Sequence, residues 1–218
     1  MSCEYYVFSG HFGSGKTEVA LNFAEKKAAE GKKVTIVDLD IVNPYFRTAD
    51  AREILKDCGI ELIASEFANS NLDMPTVAPE VMSVFCKRDG VVIFDVGGDE
   101  DGAYALGQFR RFLNDYEMFF VVNTKRPMTS CEEELSEMAR VIENASGLKI
   151  SGIVNNTNLG AATDELTLMS DYGVISELSD KLGVPIVMHS GLPQALKNLP
   201  DKDKAFEMKI NIKMPWQI

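Results

Sequence analysis

The stretch Gly10-His11-Phe12-Gly13-Ser14-Gly15-Lys16-Thr17 constrains this chain more than any other. It fits G-x-x-x-x-G-K-[ST], a phosphate-binding loop whose setting is between a buried strand and a helix. Both flanks are present. Tyr5-Tyr6-Val7-Phe8 is an apolar run of strand type, and Thr17 to Glu25 carries apolar residues at helical spacing. Gly10, Gly13 and Gly15 let the backbone close around an anion, because no side chain obstructs the approach. Successive N–H groups then form a concave donor nest, and the helix N-terminus adds positive potential. In such a loop Lys16 reaches the β- and γ-phosphate oxygens, and the Thr17 hydroxyl ligates Mg²⁺.

Apolar runs recur down the chain, each followed by polar residues. Val34 to Val37 delivers Asp38-Leu39-Asp40, and Val91 to Phe94 delivers Asp95-Val96-Gly97-Gly98-Asp99. Met118 to Val122 ends at Asn123, Ile150 to Val154 delivers Asn155-Asn156, and Pro185 to Met188 ends at His189. Nearly continuous apolar strands of this kind belong to parallel sheets covered on both faces. Between them the pattern predicts helices to about Glu30, from Thr48 to Asp57, from Pro79 to near Gly90, from Ala103 to Leu113, from Cys131 to Asn144 and through Val174 to Leu182. Thr129 or Ser130 is the expected cap of the fifth. Ser65 to Thr76 reads as a long polar loop. At the C-terminus Met208, Ile210, Ile212 and Met214 alternate with Lys209, Asn211 and Lys213, which predicts a half-buried strand at a sheet edge or a dimer contact. Strands alternating with helices give an α/β protein: a three-layer α/β/α fold with a mostly parallel central sheet, as a single nucleotide-binding domain over residues 1–218.

The net charge of −11 argues against broad nucleic-acid binding. The four cysteines form no CxxC pair and read as reduced thiols. There is no basic leader before the first strand and no apolar run of bilayer length, so the expected location is cytoplasmic and away from membranes.

Asp38 and Asp95 sit at the ends of strands expected beside the loop, where carboxylates can hold Mg²⁺ through its waters. Lys16 alone cannot neutralise a nucleoside triphosphate. The loop, Val37-Asp38-Leu39-Asp40 and Phe94-Asp95-Val96-Gly97-Gly98 together resemble the MinD/ParA/CobQ/CobB branch of SIMIBI-class P-loop NTPases, over Tyr5 to about Pro193. The resemblance implies ATP and Mg²⁺ as ligands, with residues 10–17 holding phosphate and Thr17, Asp38 and Asp95 serving the metal. It implies that Asp40 positions the attacking water and that the Gly98 N–H senses the γ-phosphate. Asn156 would read adenine, and Gly191-Leu192-Pro193 would close over the base. The stretch Asp40 to Arg47 looks like an uncharacterised subgroup of this branch, with Asn43-Pro44-Tyr45-Phe46-Arg47 at a switch position. A nucleotide-switched ATPase acting through a homodimer or a partner protein is the implied role.

One departure is local. ParA-type loops carry a lysine that crosses to the partner's phosphates, and here His11 and Phe12 occupy that part of the loop. His11 is either a pH-dependent cation or a packing residue. Arg47, Lys125 and Arg126 are candidates for the missing charge. Two other readings stay open. One is an ATP-dependent ligase of the dethiobiotin synthetase/CobQ type. The other is a metal-insertion GTPase, which the loop sequence resembles but whose N-K-x-D motif neither Asn123-Thr124-Lys125-Arg126 nor Asn155-Asn156-Thr157-Asn158 fits.

Overall fold

The structure is a computed structural model that describes residues 3–40, 48–64, 79–87, 89–98 and 100–211. The expected switch loop 41–47 with Arg47, the polar loop 65–76, Asp99, Ile212 and Met214 lie outside the described residues.

In chain order the elements are β1 (Glu4–Ser9), α1 (Lys16–Ala29), β2 (Val34–Leu39), α2 (Thr48–Asp57), β3 (Glu61–Ala64), α3 (Pro79–Ser83), β4 (Val91–Val96) and α4 (Glu100–Gly107). There follow β5 (Tyr116–Val122), α5 (Glu132–Ser146), β6 (Gly152–Asn155), α6 (Glu165–Met169), α7 (Tyr172–Leu182), β7 (Ile186–Gly191), α8 (Pro193–Leu196) and β8 (Ala205–Glu207). The strands form one sheet in the order β3-β2-β4-β1-β5-β6-β7-β8, and every pairing in it is parallel. This is the fold of P-loop NTPases, with the phosphate loop leaving a central strand.

Side chains alternate across each strand, and the alternation sorts the core into two layers. Val7, Val37, Val92, Phe94 and Phe120 face α4, α5 and α7. Phe8, Ile36, Val91, Ile93 and Phe119 face α1 and α2. Phe23 of α1 seats edge-on against Phe8 and Tyr6 at 5.3 and 4.8 Å between centroids, fixing the helix over β1. The same count places Asp38 and Asp95, one residue beyond Val37 and Phe94, on the α1 side of the sheet.

Four local expectations need correction. The helix from Pro79 ends at Ser83 and tightens into a 3₁₀ turn over Val84–Cys86, because Lys87 is already extended. The helix predicted over Ala103–Leu113 lies earlier, at Glu100–Gly107. Gly107 has no Cβ and lets the chain pass close to the C-terminal turn of α5, where an added methyl would stand 2.8 Å from the Ala145 carbonyl oxygen. Among the described residues the tail is a strand over Ala205–Glu207; after the Met208 N–H bonds to Gly191 O, the N–H groups of Lys209 and Asn211 turn to side chains of α1. The cap of α5 also differs. Cys131 holds the N-cap position, and Glu134 accepts from the Ser130 N–H and hydroxyl at 3.0 and 3.1 Å, while Thr129 donates to Asn123 O and Arg126 O.

Candidate functional site

β1 ends among apolar neighbours and the chain turns at once into the glycine loop. Gly10, Gly13 and Gly15 have φ of +145°, +77° and +87°, conformations that L side chains rarely adopt. The loop is closed by Ser14 N–H to His11 O (3.1 Å) and leads through Gly15, the N-cap, into α1. The N-cap residue has no side chain to offer the first turn, so nothing on it competes with an anion for that helix end. Lys16 is 2% exposed and its ammonium folds back over the loop to His11 O at 3.4 Å. Its charge is therefore held inside the ring of amides. The Ser14 hydroxyl is buried with no hydrogen-bond partner among the described residues.

Asp38 and Asp95 are register partners on adjacent strands, which places their backbones about 4.8 Å apart. Both face the α1 layer, to which Thr17 belongs. Oxygen donors of this kind, two carboxylates and a hydroxyl, suit a hard divalent cation such as Mg²⁺. Asp38 also shapes its own turn, its Oδ1 accepting from the Asp40 N–H at 2.9 Å. Asp40 follows directly at the C-terminal edge of β2. Gly98 touches the loop: a Cβ there would stand 2.5 Å from Phe12 N and 2.9 Å from the His11 carbonyl carbon. The turn after β4 and the phosphate loop are thus in backbone contact.

Asn156 directly follows β6 and braces the loop from the other side. Its Nδ2 donates to Ser14 O at 2.7 Å and its Oδ1 accepts from the Ser190 hydroxyl at 3.0 Å. A methyl on Gly15 would collide with that Nδ2. The carboxamide expected to read adenine is thus engaged at both ends within the protein. Of the cations considered for the missing lysine, Lys125 is paired with Asp171 at 2.7 Å, whereas Arg126 donates from Nε to Gly13 O at 3.1 Å. Arg126 is therefore the one of the two that stands on the loop. His11 is half-buried and its Nδ1 lies 2.8 Å from Phe12 O, an acceptor, so that nitrogen carries the hydrogen.

Beside the loop opens a pocket of about 220 Å³, several times the share of one water. Gly13, Gly15, Thr17 and Glu18 form its loop end. Asn158, Gly160, Ala161 and Thr163 come from the segment after β6, and Gly191 and Leu192 from the end of β7. Pro193 opens α8 and is not a lining residue. Met208, Lys209 and Ile210 complete the wall. Their part in it was not read from the sequence, although the polar positions Glu18, Asn22 and Glu25 on α1 were a signal that something covers that side.

The floor behind the pocket is a polar network. Asn123 accepts at Oδ1 from the N–H groups of Lys125 and Asn158, at 3.0 and 3.1 Å, and so ties the ends of β5 and β6 together. Asp171 accepts from Lys125 and from the Thr124 hydroxyl, both at 2.7 Å. The Lys125 bond, then the Thr124 bond, hold its carboxyl below the ordinary value of 3.8. A lowered folded-state pKa contributes stability that is complete above the unfolded value and is lost as pH falls through the folded one. Asp171→Asn is accordingly expected to cost about 1 kcal/mol at neutral pH, discounted for partial exposure. The difference from wild type should disappear in unfolding titrations carried well below pH 3.8.

No protein-family model and no curated protein sequence matches this chain. Solved structures do. The signal recognition particle receptor FtsY of Elizabethkingia anophelis, in complex with GDP, superposes with a TM-score of 0.58 at 16% identity, covering 87% of this chain and 57% of that one. Cell division protein FtsY of Thermotoga maritima gives 0.59 at 18%, covering 89% and 64%. Chloroplast FtsY of Physcomitrella patens gives 0.59 at 15%, covering 97% and 63%. The chain spans less than two thirds of the length of each, and at these identities the likeness is one of fold. No helix among the described residues is long and apolar enough to cross a membrane.

Proposed function

We propose that this chain is a Mg²⁺-dependent nucleotide-binding protein that hydrolyses ATP slowly and uses the bound state to control a second copy of itself or a partner protein. The observation that carries the reading is the convergence on one side of the sheet of the Lys16 loop, Thr17 and the Asp38–Asp95 register pair. Lys16 and the loop amides would hold the β- and γ-phosphates. Thr17, Asp38 and Asp95 would hold the metal, directly or through its waters, and a divalent ion there supplies charge neutralisation for the departing phosphate. Asp40 would orient the attacking water. Gly98, in contact with His11 and Phe12, would carry the presence of the γ-phosphate into α4. Phe12 and Tyr104 of α4, 55% and 62% exposed, lie at the two ends of that route and support an output on a protein surface.

The base would enter the pocket between the loop after β6 and the tail. That pocket has Leu192, Met208 and Ile210 for the ring faces, and the carboxylate lining it among the described residues, Glu18, lies at the phosphate end. A guanine site of the N-K-x-D kind needs a carboxylate at the base end, which supports adenine. GTP is the second reading, favoured by the fold neighbour that carries GDP.

Thermal unfolding with ATP, GTP and their Mg²⁺ complexes tests both. At roughly a hundredfold excess over Kd, the bound nucleotide should raise the melting temperature by about 5–10 °C, and EDTA should reverse most of it. A shift with GTP alone selects the second reading, and no shift with either removes both.

A further inference from the structure

We propose that Met208–Asn211 is a strap forming one wall of the nucleotide pocket, and that Glu18, Asn22 and Glu25 of α1 are the residues that position it. The inference rests on the nucleotide reading above and assigns residues that the phosphate-loop motif does not include. The three side chains recur at i, i+4 and i+7, one stripe of the helix. Each is joined to the strap. The Asn22 carboxamide makes a two-point contact with the backbone of Lys209, donating from Nδ2 to its carbonyl (3.0 Å) and accepting at Oδ1 from its N–H (2.9 Å). Glu18 Oε1 accepts from the Asn211 N–H at 2.7 Å, and Glu25 pairs with the Lys209 ammonium at 2.9 Å.

Asn22 is 6% exposed in the middle of a helix, where asparagine is a poor choice on propensity alone. Its amide replaces the strand neighbour that the tail lost on leaving β7, so a part-buried stretch of backbone keeps its hydrogen bonds. The strap then presents Met208 and Ile210 to the cavity that Leu192 also lines. The Met208 and Ile210 side chains suit the faces of a base, while the Lys209 ammonium between them is engaged by Glu25. Glu18, directly after Thr17, belongs both to the pocket and to the strap anchor. A ligand that touches the strap must stabilise its docked state, and docking must strengthen the ligand by the same factor.

The test compares ADP, GDP and inorganic pyrophosphate, by calorimetry, on wild type, Asn22→Leu and Lys209→Pro. Asn22→Leu removes the clamp from the helix side. Lys209→Pro removes the donated N–H from the strap side and leaves α1 intact, and Lys209→Ala, which keeps that N–H, accounts separately for the loss of the ammonium. Asn22→Leu and Lys209→Pro should both bind the preferred nucleoside diphosphate about tenfold more weakly, with pyrophosphate affinity unchanged. Hydrogen exchange at residues 208–211 should be slowed by that nucleotide in wild type and not in the variants. Equal weakening of pyrophosphate and nucleotide, or no weakening of either, overturns the strap while leaving nucleotide binding standing. A wild-type chain that binds neither diphosphate overturns the nucleotide reading and the strap together.

Discussion

Gly15→Ala is expected to lose about 2–4 kcal/mol of folding stability and the phosphate site with it, whereas Gly31→Ala loses only about 1 kcal/mol. The two glycines share a backbone conformation, with φ of +87° and +82°. An alanine therefore meets the same left-handed strain at each. They differ in what surrounds them. Nothing lies within 4 Å of a methyl placed on Gly31, while one on Gly15 collides with the Asn156 amide. Moving Asn156 breaks its bonds to Ser14 O and the Ser190 hydroxyl, all three residues being at most 2% exposed. Buried partners left without bonds carry the larger penalty. Chemical denaturation of the pair isolates the contribution of the brace. Equal losses would mean that Asn156 yields freely and does not hold the loop.

That contrast also marks where the sequence could be read and where it could not. The phosphate loop, the strands β1, β2, β4 and β5 and the end of the first helix near Glu30 were legible because each depends on residues near in sequence: an apolar run, a glycine-rich motif, a helical period. Asp38 beside Asp95 was legible one step further out, since two strands leaving the same sheet end bring their last residues side by side. Asn156 is recognisable in the sequence as the polar residue that closes the apolar run of β6, but its engagement with Ser14 and Ser190 depends on three loops meeting. No local pattern encodes that. The tail shows the limit most clearly. Alternation over Met208–Met214 is a strand signal, yet the described part of that stretch is drawn off the sheet by Asn22, a residue 187 positions away in the chain. A half-buried extended segment looks the same in sequence whether its backbone pairs with a strand or with a side-chain amide. The early end of α4 is a similar case, because the approach of α5 at Gly107 is a tertiary fact.

The largest functional effect is expected at Lys16. Lys16→Met should bind nucleoside triphosphate at least about a hundredfold more weakly and unfold within about 1 kcal/mol of wild type. Methionine has a similar unbranched stem and fills the same buried space, so packing around the residue is nearly kept. What is lost is an ammonium inside a ring of amides, in a chain whose net charge of −11 otherwise repels the ligand. With only 2% of the residue exposed, water does little to screen that charge. Arg126→Ala provides the comparison. Its guanidinium is on the same loop, bonded to Gly13 O at 3.1 Å, but it is exposed. It should therefore cost less than about tenfold, and that cost should shrink as salt is raised. Titration of both variants with Mg²⁺-nucleotide at low and high ionic strength separates the two contributions. Wild-type affinity in Lys16→Met would mean that the anion is seated elsewhere, and a salt-sensitive loss there as steep as that of Arg126→Ala would place Lys16 at the rim rather than inside the nest.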